Sequence, residues 1–154
     1  MTQKPLVAGV AQTGTARDFY DALAAQYDKF YLDWDAAVRE EGAFLKGLFD
    51  KKGLPAGASV LDCACGVGTQ AVGLAALGYK VAASYISGGE LEEAKRRAAA
   101  RGVSIRFCQA DFRALEDVFS ERFDAVVALD NALPHMLTAE DLARAVSSVT
   151  GRVR

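Results

Sequence analysis

The sequence predicts an α/β fold built on a doubly wound parallel sheet, and three observations carry that expectation. From residue 59 onward, short apolar runs alternate with helical stretches, the pattern left by strands joined through crossover helices. A glycine turn, Gly66-Val67-Gly68, follows the first of these runs directly. The chain has 154 residues, 51% apolar and 25% charged, enough for one domain with a buried core and too few for two.

Residues 1–15 are rich in Gly and Thr and read as a mobile N-terminus, leaving 16–154 as a single domain. Phe19, Leu23, Tyr27 and Phe30 then recur at helical spacing behind Asp18 as cap, which predicts an amphipathic helix. A second helix is expected over 35–51, with Val38, Leu45, Leu48 and Phe49 inward and a stop at Gly53 and Pro55. Strands are expected near 59–63, 79–84, 104–109 and 123–129. The helix after the first strand runs from Thr69 to Gly78. The next opens on the capping box Ser87-Gly88-Gly89-Glu90 and stops at Gly102. Thr138-Ala139-Glu140-Asp141 opens the last, with Leu142, Ala145, Val146 and Val149 on its buried face.

A net charge of −2 and a pI near 5.4 leave no excess of cations to neutralise a phosphate backbone, so nucleic acid is not an expected partner. Lys95-Arg96-Arg97 with Arg101 reads as the solvated face of a helix. No secretory leader or bilayer-length apolar stretch is visible, so no membrane partner is expected. Cys63, Cys65 and Cys108 are odd in number and fall in strand-like runs. They suit reduced, packed thiols and a cytoplasmic location rather than a disulfide framework. With a single histidine and a Cys-x-Cys spacing, no metal is expected.

Ligands of open parallel sheets bind beyond the carboxyl ends of the strands. At the first strand end, Gly66 and Gly68 let the backbone turn tightly and approach a ligand closely. Gly66-x-Gly68-x-x-Ala71 also satisfies a dinucleotide fingerprint. Asp62 separates the two possibilities, because a carboxylate ahead of the turn repels a pyrophosphate and attracts a cation.

The segment Val60-Leu61-Asp62-Cys63-Ala64-Cys65-Gly66-Val67-Gly68-Thr69-Gln70 resembles the first motif of class I S-adenosylmethionine-dependent methyltransferases, in the variant of the glycine and sarcosine N-methyltransferase type. Tyr20-Asp21 and Tyr27-Asp28 upstream, Gln109-Ala110-Asp111-Phe112 after the third strand, and Leu129 through His135 after the fourth agree in order and spacing over residues 18–153. The resemblance implies a Rossmann-like fold with strand order 3-2-1-4, the cofactor S-adenosylmethionine, the product S-adenosylhomocysteine and a small-molecule methyl acceptor, an amine in that subgroup. It implies that Asp62, Cys63, Ala64, Cys65, Gly66 and Gly68 surround the methionine part of the cofactor, that Asp111 accepts from the adenine amino group beside Phe112, and that Asp130 and Asn131 close the site. Tyr20, Tyr27, Trp34 and His135 are candidates for the acceptor side. The aromatics, with Tyr31, read equally as cover for the sheet, and His135 as packing beside Pro134.

Two departures qualify the resemblance. The family ends its second strand in an acid that holds both ribose hydroxyls, and here Tyr85-Ile86 stands there. Losing a charged acceptor costs roughly 1.5–3 kcal/mol. The same substitution weakens a reading as an NAD-binding domain, which needs an acid at that place too. The sequence also stops at Gly151-Arg152-Val153-Arg154, where the family continues into three further strands. The expectation is a natural truncation, a piece cut from a longer chain, or a protein that self-associates through a bare fourth strand, and the alternative to turnover is a non-catalytic cofactor-binding or interaction module.

Overall fold

The computed structural model describes residues 33–130 and 132–154. The expected mobile start, the helix around Phe19–Phe30, and the candidates Tyr20, Tyr27, Tyr31 and Asn131 lie outside the described residues.

Helix α1 (Trp34–Lys51) begins where Asp33, in extended backbone, accepts a hydrogen bond from the Ala36 N–H, and it turns Val38, Gly42, Leu45 and Phe49 inward. Leu48, expected on that face, is 41% exposed. The buried row advances by three or four residues, and Leu48 falls beside it rather than on it.

Four strands, β1 (Ser59–Asp62), β2 (Lys80–Tyr85), β3 (Ile105–Gln109) and β4 (Ala125–Val127), form one parallel sheet in the order β3-β2-β1-β4. β1 is central: Asp62 is in register with Ala83 of β2 and Val127 of β4. The crossovers are α2 (Thr69–Ala76) and α3 (Gly88–Ala100), and α4 (Ala139–Gly151) follows the last strand. The Ser87 and Thr138 hydroxyls accept from the N–H groups of Glu90 and Asp141, so both predicted helix starts are capped.

Successive strand residues point to opposite faces, and two cores result. Val60 and Val81 pack with Leu74, Leu91 and the α1 residues Leu45 and Phe49. Leu61 and Ala82 pack on the other face with Leu115, Phe119 and Phe123, against which Val149 of α4 lies. Leu142 and Val146, expected in that second core, are 41% and 45% exposed. The helix is rotated so that Ala145 and Ser148 face inward instead, and the Ser148 hydroxyl accepts from the Leu115 N–H at 2.8 Å.

Helices α1 and α2 meet backbone to backbone. A Cβ on Gly73 would lie 2.5 Å from the Val38 carbonyl oxygen, so only glycine fits there. The basic run of α3 is not uniformly solvated as expected. Lys95 and Arg96 pair with Glu92 and Glu93 on the surface, but Arg97 is 6% exposed and lies over the Trp34 ring at 4.5 Å. A cation placed over an indole face is stabilised by the ring quadrupole, which gives Arg97 a reason to be inside.

β4 is shorter than the expected 123–129. Phe123 makes only a bridge to Val153, its N–H donating to the Arg152 carbonyl at 2.7 Å while the Arg154 N–H donates to the Phe123 carbonyl at 3.0 Å. The edge expected to be bare is therefore bridged at its start, and among the described residues Ala125–Val127 have no partner on that side. No helix among the described residues is long and apolar enough to cross a membrane.

Candidate functional site

A cleft of about 300 Å³ opens at the carboxyl ends of the strands. Its floor is the turn after β1. The Cys63 N–H donates to Val127 of β4 at 3.0 Å and the Cys65 N–H to Ser84 of β2 at 3.1 Å, which stitches the chain between its neighbours. Gly66 and Gly68 then take φ of +49° and +89°, a left-handed region that favours glycine. A Cβ on Gly68 would stand 3.2 Å from the Ala94 Cβ, so its absence also lets α3 approach. Ala64, Cys65 and Gly66 line the cleft, whereas Asp62, Cys63 and Gly68 lie behind that lining.

Asp62 is 1% exposed; its Oδ1 accepts from the Ala64 N–H at 3.3 Å and its Oδ2 has no hydrogen-bond partner. Burial, with Asp130 and Glu41 nearby, pushes its carboxyl up to about 7 despite the Ala64 bond. Glu41 of α1 is half-buried, its Oε2 also lacks a partner, and burial together with Asp130 and Glu40 pushes it to about 7. Asp130 sits in left-handed backbone, φ +53°, and its Oδ2 accepts from Gln70 Nε2 at 2.6 Å. Three carboxylates thus gather at one end of the cleft, two with unused acceptor oxygens, an arrangement that attracts a cation.

The opposite end differs. Asp111 Oδ1 accepts from the Arg113 N–H and Nε, and Oδ2 from Nε and Nη2, while Arg113 Nη1 reaches Asp141 of α4 at 2.9 Å. Burial pushes Asp111 up, but the bonds from Arg113 outweigh it and hold the acid below the usual carboxylate range. Tyr85 and Ile86 form the wall at the end of β2, and Phe112 lies on the Asp111 side. His135, with Met136 and Leu137, lines the rim after β4.

The cleft therefore brings together Ala64, Cys65, Gly66, Tyr85, Ile86, Asp111, Phe112, Asp130 and His135, with Asp62 directly beneath. Trp34 is not part of its lining: the indole N–H donates to Thr69 Oγ1 at 3.0 Å, and Arg97 and Arg101 cover the ring. Sequence reasoning missed Glu41, Arg113 and Asp141. Glu41 had a signal, since it lies three residues after Val38 and four before Leu45, a carboxylate written onto the apolar row of α1. Among the described residues no group of three or more His, Cys, Asp and Glu is arranged to hold a metal ion.

Comparison with known proteins places these features. Residues 60–154 match the family model described as a methyltransferase domain. Glycine/sarcosine N-methyltransferases of Parasynechococcus marenigrum and Halorhodospira halochloris are 30% and 29% identical over 131 and 124 residues, covering 85% and 80% of this chain. In each case the chain spans only 45% of the relative's length. The S-adenosylmethionine-bound structure of CalS10, an amino pentose methyltransferase from Micromonospora echinaspora, shares the fold with a TM-score of 0.68 at 22% identity, over 86% of this chain and 52% of that one.

Proposed function

Because the chain belongs to the methyltransferase-domain family, we propose that it binds S-adenosylmethionine and transfers a methyl group to a small amine held in the cleft at the strand ends. The observation that carries this reading is Asp62, a fully buried carboxylate under the glycine turn with one oxygen unpartnered. A carboxylate kept out of water is costly unless a cation or donor meets it.

The residues present fit such a cofactor. Gly66 and Gly68 leave the turn bare of side chains, and Asp62 with Cys63, Ala64 and Cys65 would hold the amino-acid end, whose ammonium matches the unpaired charge. Asp130 would close that end, with Asn131 of the expected set outside the described residues. Asp111 and Phe112 would flank the adenine. Arg113 already supplies four contacts to Asp111, so an adenine amino group must displace part of that clamp. When bound, S-adenosylmethionine supplies an electrophilic methyl on a sulfonium.

Alignment is the larger part of what the protein contributes to such a transfer. An attacking amine must first shed its proton, and His135 is the ring base that lines the cleft. The amine class is supported by the names of the two N-methyltransferase relatives. A second reading, cofactor binding without turnover, is favoured by Tyr85 in place of the family's ribose acid.

Calorimetry with S-adenosylmethionine, S-adenosylhomocysteine and NAD tests the cofactor, and S-adenosylhomocysteine release with glycine or sarcosine tests the acceptor. Binding of the first two ligands over NAD with turnover is the expected result. Preference for NAD overturns the proposal, and binding with no amine turned over selects the second reading.

A further inference from the structure

Resting on the methyl-transfer reading above, we propose that the cleft takes an amine that carries no carboxylate in preference to an amino acid such as glycine or sarcosine. Both of those acceptors hold a carboxylate on the carbon next to the amine. A site for them must supply a cation or an array of donors to that carboxylate as well as room for the nitrogen.

The charges around the cleft run the other way. Among the described residues, its lining carries three acids, Asp111, Asp130 and Asp141, and Arg113 as its sole arginine or lysine. That guanidinium is already committed: Nε and Nη2 donate to Asp111, and Nη1 donates to Asp141 at 2.9 Å. At the other end of the cleft, burial and then the nearby charge of Asp130 push the Asp62 and Glu41 carboxyls up to about 7. An acceptor carboxylate placed there would meet like charge at short range in a site partly shielded from water, where such repulsion is strong. It would also compete with the carboxylate that the cofactor itself brings. His135 is the other lining side chain able to hold a positive charge, and the transfer uses its ring neutral, as the base.

An amine alone fares differently. It arrives as an ammonium, which the acids attract, and gives up a proton before it attacks. The free nitrogen then forms the new C–N bond as the C–S bond of the cofactor breaks and its electron pair returns to sulfur. Positive charge thereby passes from sulfur to nitrogen within the same acidic surroundings, so the carboxylates suit reactant and product alike. Beyond the nitrogen, Leu129, Ala132, Met136 and Leu137 offer the acceptor apolar contact.

Release of S-adenosylhomocysteine by the full chain, measured with glycine and with ethanolamine, tests this preference. Ethanolamine replaces the carboxylate with a hydroxymethyl group and leaves the basicity of the amine nearly unchanged. Its kcat/KM should exceed that of glycine by about ten-fold or more. Leu137→Arg adds a cation at a rim position that is 92% exposed, and Asp130→Asn removes a negative charge; each should narrow the ratio between the two amines. Equal or better use of glycine by wild type overturns the proposal, and so does a ratio that neither variant narrows. If wild type turns over neither amine, the methyl-transfer reading falls, and calorimetric titration of its S-adenosylhomocysteine complex with the same two amines decides the preference. Tighter binding of ethanolamine then upholds it; equal binding, tighter binding of glycine or binding of neither overturns it.

Discussion

The amino ends of the four strands pair their carboxylates within the chain, whereas the carboxyl ends pair Asp111 with Arg113 but leave Asp62 and Glu41 each with an unpartnered oxygen. At the amino ends, Asp124 accepts from the Ser59 N–H and hydroxyl, each at 2.8 Å, and pairs with Arg154; these contacts hold its carboxyl down at about 2. Arg106 and Glu121 are likewise paired there. At the carboxyl ends, burial holds Asp62 and Glu41 at about 7, each with an oxygen unpartnered. The contrast comes from which carboxylates the fold pairs.

Asp62→Asn should break this contrast most. With the cofactor reading, loss of the buried charge should weaken S-adenosylmethionine binding by roughly a hundred-fold, as expected for a charged contact worth about 3 kcal/mol. Stability should move the other way. Burial pushes the folded carboxyl up to about 7 from an ordinary 3.8. Its contribution is therefore fully present below pH 4 and is lost as pH rises toward 7, because the unfolded chain gives up the proton first. At about 1.4 kcal/mol per pH unit the loss is roughly 4 kcal/mol at most. Asp124 has the opposite sign: its folded value lies below the unfolded one, so it stabilises above pH 4 and ceases to do so as pH falls toward 2. Denaturant melts across pH 2–8 should show both slopes in wild type, and in Asp62→Asn the acidic one together with a descending one reduced to what Glu41 carries. A descending slope undiminished in the variant would assign it elsewhere.

Gly73→Ala should act on the same end through packing. The added methyl would meet the Val38 carbonyl oxygen at 2.5 Å, so α1 must move away from α2 and carry Glu41 from its place near Asp130. Overpacking of this kind costs about 1–3 kcal/mol. A thermal melt within a degree of wild type would show that α1 is less tightly seated than its glycines imply.

Tyr85→Asp restores an acid to the ribose corner and should tighten S-adenosylmethionine binding by about ten-fold, near the lower end of what a charged acceptor supplies. An unchanged affinity would remove Tyr85 from the site.

How much of this was legible in the sequence depends on the range over which each feature is determined. The glycine turn and the Ser87 and Thr138 caps are local and could be read, and the strand order was implied by the family resemblance. Rotation of α4 could not. Leu142 and Val146 look like core residues by period, but which row faces the sheet is set by the Ser148 contact to Leu115, thirty-three residues away. The Asp111–Arg113 clamp is likewise hidden, because a two-residue spacing places no side chains together until the loop after β3 bends. Glu41 was readable from its place on an apolar row, three residues after Val38 and four before Leu45.

The smallest effect belongs to the amino ends. Arg154→Ala removes a guanidinium that is 57% exposed from Asp124 and Ser59, and a solvated pair of this kind contributes less than about 1 kcal/mol. The Ser59 bonds to Asp124 remain, so the Asp124 carboxyl should rise only part of the way toward its ordinary value, as an NMR titration would record. Cofactor affinity should not change, because Arg154 pairs at the end of the strands opposite the cleft. A weakened affinity in Arg154→Ala would mean that the bridge between Phe123 and Val153 helps hold β4, and with it Asp130, in place. That outcome would erase the separation between the two ends which the pairing of their carboxylates draws.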